Sequence, residues 1–128
     1  MRFMMLLPAP VEVLEQCAVP DAALVTAMRK YDQEMRKAGV LLSEEGLHPA
    51  SKGARIQVSG GKRIVTDGPF IETKEVIAGF WIIQVKSKEE AIEWAMRAPL
   101  PECGVIEIRQ IFENADFPPE LQNKAAGS

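Results

Sequence analysis

The sequence predicts an α+β domain in which two helices cover one face of an antiparallel sheet and a β-hairpin is inserted midway. Three observations carry that expectation. The apolar period switches between about 3.6 and about 2 residues along the chain. The segments run strand, helix, strand, hairpin, loop, strand, helix, strand. The length of 128 residues suits a single core.

The first strand is the apolar run Phe3–Leu7, which follows Arg2 and halts at Pro8. It imitates the start of a signal peptide, but Glu12 and Glu15 stand where a signal core of roughly 7–15 apolar residues would continue, so it reads as a buried strand. Residues 8–20 form a Pro-punctuated connection. Asp21 then caps a helix whose apolar positions Leu24, Met28, Tyr31, Met35 and Ala38 recur at helical steps, with Gly39 as the stop.

From Val40 the period becomes two, with Leu41, Ser43, Glu45 and Leu47 on one side of a strand that ends at Gly46–Pro49. Ala54–Ser59 and Lys62–Thr66 flank Gly60–Gly61, the composition of a tight hairpin turn. Residues 67–78 read as a long loop, broken by Gly68 and Pro69, with Gly68 supplying backbone freedom and Phe70 as an apolar anchor. Gly79–Lys86 is a nearly continuous apolar strand with both faces covered. Ser87 and Glu90 form a capping box for a helix that buries Ala91, Trp94, Ala95 and Ala98 and stops at Pro99. A last strand spans about 104–112, with Ile106 and Ile108 on one face and Arg109 on the other; residues 113–128 are expected as a loosely attached tail.

This order is the split βαβ arrangement of ferredoxin-like domains with an inserted hairpin. Two helices cover only one face of such a sheet. A second copy applied sheet to sheet is the simplest cover for the other, which predicts a two-fold homodimer, a dimeric α/β barrel, with a cavity between the sheets.

Composition narrows the function classes. The net charge of −3 removes the general electrostatic attraction to nucleic acid or an anionic membrane, so neither is expected as a partner. No window approaches the roughly 20 apolar residues of a membrane span. His48 is the single histidine and Cys17 and Cys103 the two cysteines, too few ligands for a structural zinc site. Two widely spaced cysteines point to free thiols, a reducing compartment and hence the cytoplasm. Gly60–Gly61–Lys62 lacks the spacing of a phosphate loop, and no metal or cofactor is expected.

The stretch Val65-Thr66-Asp67-Gly68-Pro69-Phe70, followed by Glu72-Thr73-Lys74-Glu75 and Gly79-Phe80, resembles the signature of the DGPF branch of the YCII-related proteins. The opening Arg2–Leu6, Glu45-Gly46-Leu47-His48-Pro49 and Glu107-Ile108-Arg109 support the resemblance, which spans about residues 2–112. It implies one ferredoxin-like domain over residues 1–112 and a dimeric barrel. It also implies two kinds of function: acid–base chemistry by a His–Asp pair, or a non-enzymatic regulatory or interaction module of the type found beside sigma factors.

The candidate catalytic residues are His48 and Asp67, because a carboxylate bonded to one imidazole nitrogen fixes the tautomer and frees the other nitrogen to move a proton. The alternatives are a hydrogen-bonding histidine at a strand end and an Asx-turn at Asp67. The candidate ligand-binding residues are Glu45 and Arg109, which interrupt apolar strand faces, and Glu72 and Lys74 in the loop. A charge on a covered face must be paired or bind something. The expected ligand is a small organic molecule of unspecified identity. Trp81 and Trp94 are expected as core.

Overall fold

The computed structural model describes residues 1–10, 21–68, 75–102 and 104–122. Its six strands are β1 (Arg2–Pro10), β2 (Leu41–Gly46), β3 (Ala54–Ser59), β4 (Lys62–Asp67), β5 (Glu75–Gln84) and β6 (Glu107–Gln110), and its two α-helices are α1 (Ala22–Lys37) and α2 (Lys88–Met96). Four strands form an antiparallel sheet in the order β2-β5-β1-β6, while β3 and β4 form a separate two-stranded ribbon. With the ribbon set aside, this is the α+β, ferredoxin-like order expected from the sequence.

The helices form where the local signals place them. The Asp21 carboxylate accepts the Leu24 amide at 3.3 Å. At the other end Gly39 takes φ 75°, its amide bonds the Arg36 carbonyl, and the Val40 amide bonds the Met35 carbonyl. That is a complete Schellman closure. In α2 the Ser87 hydroxyl accepts the Glu90 amide at 3.2 Å. The Glu90 carboxylate reaches past the cap residue to the Lys86 amide at 2.9 Å, which differs in partner from a strict capping box.

Both helices lie on one side of the sheet. Phe3, Met5, Trp81 and Ile83 from the strands, with Val85 just past β5, pack with Tyr31, Met35, Ala91 and Trp94 from the helices, and Met5, Met35 and Ile83 are sealed completely. Because side chains alternate along a strand, Met4, Leu6, Phe80 and Ile82 point to the other side, where they remain half-buried.

Several boundaries move relative to the sequence reading. Strand β1 continues through Pro8 to Pro10, and β5 starts at Glu75, so residues 75–78 are strand where a loop was expected. The two extensions pair with each other across a register shift that leaves Ala78 as the extra residue. Strand β6 pairs only with Phe3–Leu6, so beyond Leu6 β1 is an edge on that side, where proline is tolerated. In β2 the register shifts at Leu42: Leu41 pairs with Ile83 but Ser43 with Ile82. Leu41 therefore sits on the helix side, while Ser43 and Glu45 share the opposite one, which breaks the simple alternation read from the sequence. Ala38 is the exposed cap of α1 and not part of its buried stripe. The segment after β6 is tied back by Arg2, whose guanidinium donates to both Glu113 carboxylate oxygens at 2.8 and 3.3 Å, and it makes short 3-10 turns at Asn114–Asp116 and Pro119–Leu121.

Candidate functional site

The side of the sheet away from the helices presents two rows of side chains. One row runs Glu45, Phe80, Leu6, Glu107 from β2 to β6, and the next runs Ser43, Ile82, Met4, Arg109. The centre is apolar and the edge strands carry the charges. Glu45 and Arg109 thus share this face but stand on opposite edge strands, so within one chain they do not meet. Arg109 instead faces Glu107 at 3.7 Å, with both side chains more than half exposed. Glu45 is exposed and has no ion-pair partner among the described residues.

His48 and Asp67 come from different elements that converge at one end of the sheet. His48 lies just past β2, where the Leu47 amide bonds the Ala78 carbonyl of the bulge in β5 at 2.8 Å. Two residues on, Ala50–Lys52 makes a 3-10 turn. Asp67 is the last residue of β4, opposite Ala54, and not the opening residue of a loop. The ribbon is rooted there by the Gly68 amide donating to the Gly53 carbonyl at 2.9 Å. A Cβ on Gly68 would overlap the Ala50 carbonyl. Its glycine is therefore required by close backbone approach, while the positive φ expected of a flexible position belongs to Gly60 and Gly61 in the turn, at 58° and 77°. His48 and Asp67 are both exposed, and no hydrogen bond or ion pair among the described residues joins them. Glu72, Lys74, Pro69, Phe70, Cys17 and Cys103 lie outside the described residues.

Sequence reasoning missed a polar group on the helix side. Asp32 of α1 is 7% exposed and accepts the Trp81 indole N–H at 2.7 Å. Beside it, Tyr31 meets the Trp81 ring edge-on at 5.6 Å and donates its hydroxyl to the Trp94 carbonyl at 2.6 Å. Burial pushes the Tyr31 phenol up to about 12. Glu44, opposite Trp81 on β2, is held above the ordinary carboxylate range by desolvation first and then by the neighbouring Asp32 charge, partly offset by Arg36 at 3.4 Å. The available signal was a tryptophan on a strand that needs an acceptor once buried. Every buried polar side-chain atom among the described residues has a hydrogen-bond partner, so this group is structural wiring between α1 and the sheet.

Among the described residues no grouping of three or more His, Cys, Asp or Glu side chains is placed to hold a metal ion, and no helix is long and apolar enough to cross a membrane.

An antiparallel β2-β5-β1-β6 sheet with both helices on one side and an apolar opposite face rimmed by charge defines a ferredoxin-like α+β domain. Residues 1–115 match the YCII-related domain, and the chain belongs to that family. It is 37% identical over 90 residues to the "Uncharacterized protein R00369" of Rhizobium meliloti (strain 1021), an alignment that covers 69% of each chain.

Proposed function

We propose that the chain acts as a cytoplasmic homodimer that binds a small organic molecule between two sheet faces. The carrying observation is the apolar centre Met4, Leu6, Phe80 and Ile82 with Glu45, Glu107 and Arg109 at its rims. Such a surface, doubled about a two-fold axis, gives an apolar cavity with a few polar groups to orient a ligand. Arg109 is exposed and, among the described residues, meets only Glu107 as an ion-pair partner, so it is available to a carboxylate, which a guanidinium grips through two parallel hydrogen bonds. His48 and Asp67, at the end of the sheet where the ribbon is rooted, supply proton transfer without a cofactor if the bound molecule bridges them. The exposed ribbon favours the second reading, a non-enzymatic interaction module.

Light scattering of the purified chain at micromolar concentration is expected to give twice 14.1 kDa. Thermal-shift screening with small carboxylic acids is expected to find ligands whose effect disappears in Arg109→Met. A monomer, or a carboxylate shift untouched by Arg109→Met, overturns the reading. Loss of the ligand-dependent shift in His48→Gln and Asp67→Asn assigns those residues to the site.

A further inference from the structure

The β3–β4 ribbon lacks the support a two-stranded hairpin needs. All twelve of its strand residues are exposed, although a hairpin of this size is marginal in water without a covering surface. By the register, Ile56, Val58, Val65 and Arg63 share one side of it, with the three apolar side chains 62%, 63% and 66% exposed. Its charge is also opposite to that of the body. From Lys52 to Asp67 the chain carries Lys52, Arg55, Lys62 and Arg63 against Asp67 alone, a local +3 in a chain of −3, which leaves −6 for everything else.

We infer that this ribbon is an arm that clasps a second copy of the chain and closes the end of the inter-sheet cavity; the inference rests on the homodimer proposed above. Area supports it. The four-stranded face, about 19 Å across and limited by the short β6, offers roughly 300 Å², well under the roughly 800 Å² per partner of a stable interface. An arm about 20 Å long adds roughly 200 Å² when given and about the same when received at the end of the sheet, outside the face already counted, which brings the total near that requirement. The arm is also long enough to cross a sheet whose edge strands lie about 14 Å apart.

Charge complementarity selects the second copy as the occupant. Arg63 lies on the apolar side of the arm, Glu45 on the charged rim of the open face, and neither has an ion-pair partner among the described residues. The arm of one copy lays Val58 and Val65 across the end of the other copy's sheet, where Leu47 and Ile77 are exposed, and brings Arg63 to Glu45 of that copy. Each cavity then has one wall from each chain and is incomplete in a monomer.

Sedimentation equilibrium of the full chain tests this, with circular dichroism as the control for folding; the altered arm positions and Glu45 are exposed, so the monomer fold should persist in those variants. Val58→Glu with Val65→Glu is expected to raise the dimer dissociation constant roughly tenfold or more. Arg63→Glu is expected to raise it less, with recovery in Arg63→Glu combined with Glu45→Arg. Unchanged dissociation constants in the arm variants, with the wild type dimeric and Phe80→Glu dissociating it, overturn the arm and leave the sheet-to-sheet dimer standing. A monomeric wild type overturns both. Arm variants that only split a larger assembly into intact dimers, or that lose binding to a mixed-sequence oligonucleotide while the dimer is unchanged, assign the ribbon to another occupant and overturn the proposal.

Discussion

The two sides of the sheet are built from alternate residues of the same strands, yet they obey different rules. On the helix side Phe3, Met5, Trp81 and Ile83 are buried, and the polar Asp32 is matched to the indole N–H. On the other side Met4, Leu6, Phe80 and Ile82 are half-buried, and the charges at the rims are exposed. The first surface is complete within one chain. The second, together with the ribbon, leaves apolar area in water, which is the surface the proposed dimer would cover. Stability should therefore reside on one side and association on the other.

The largest expected effect breaks the helix side directly. Met35→Ala or Ile83→Ala, at fully sealed positions, should cost about 2–5 kcal/mol in urea melts. A loss under about 1 kcal/mol would mean that the site collapses to fill the cavity or that the packing is loose.

Next in size is the buried hydrogen bond. A double-mutant cycle over Asp32→Ala and Trp81→Phe should show a coupling of about 1–3 kcal/mol, because either single change strands a buried polar group. Additive single effects would show that the two groups do not depend on each other.

The Tyr31 phenol sharpens the contrast by titration, since Tyr31 is the single tyrosine of the chain. Its ionisation, followed by ultraviolet absorbance, should centre near 12 and not at the ordinary 10.0. A raised folded-state pKa leaves stability unaffected below about 10 and lowers it as the pH climbs toward 12, because the unfolded chain releases the proton first. Tyr31→Phe should remove that alkaline slope.

On the ribbon the expectation is the reverse. Val65→Ala, at a position 66% exposed, should change the stability of the dissociated chain by no more than about 0.5 kcal/mol, a null result that denaturant melts at low concentration can check.

The smallest effect belongs to Glu44 at the margin between helix and edge strand. Its raised pKa gives a contribution present below the ordinary 4.5 and lost as the pH rises through the folded-state value. Glu44→Gln should remove that fall in stability, so that the acid limb rises more steeply with pH in that window, and leave the alkaline limb unchanged.

The candidate site was only partly legible in the sequence. The strand-borne charges Glu45 and Arg109 were found because each interrupts an apolar pattern, and the structure puts both on the side away from the helices. Their separation on opposite edge strands was not legible, because strand order is a long-range property. His48 and Asp67 come to the same end of the sheet through the contact of Gly68 with Ala50, which no spacing along the chain records. Asp32 was missed for a related reason: on a helical wheel it looks like one more polar residue, and its acceptor role exists only because Trp81 arrives from 49 residues away.

What the sequence by itself determined are the features whose physics is local. The Asp21 and Ser87 caps, the stop at Gly39, the Gly60–Gly61 turn and the alternation along β1 and β5 each depend on neighbours within about one turn or one strand pair, so residue type and spacing suffice. What only the tertiary structure decided are the features set by a distant backbone. The register shifts at Leu42 and Ala78 follow from pairing with a strand far along the chain, and one extra residue turns every later side chain to the other face. Strand β5 reaches back to Glu75 because β1 runs on to Pro10 beside it. Gly68 must be glycine because the Ala50 carbonyl fills the space of its Cβ, a steric demand between segments that the chain brings together only when it folds.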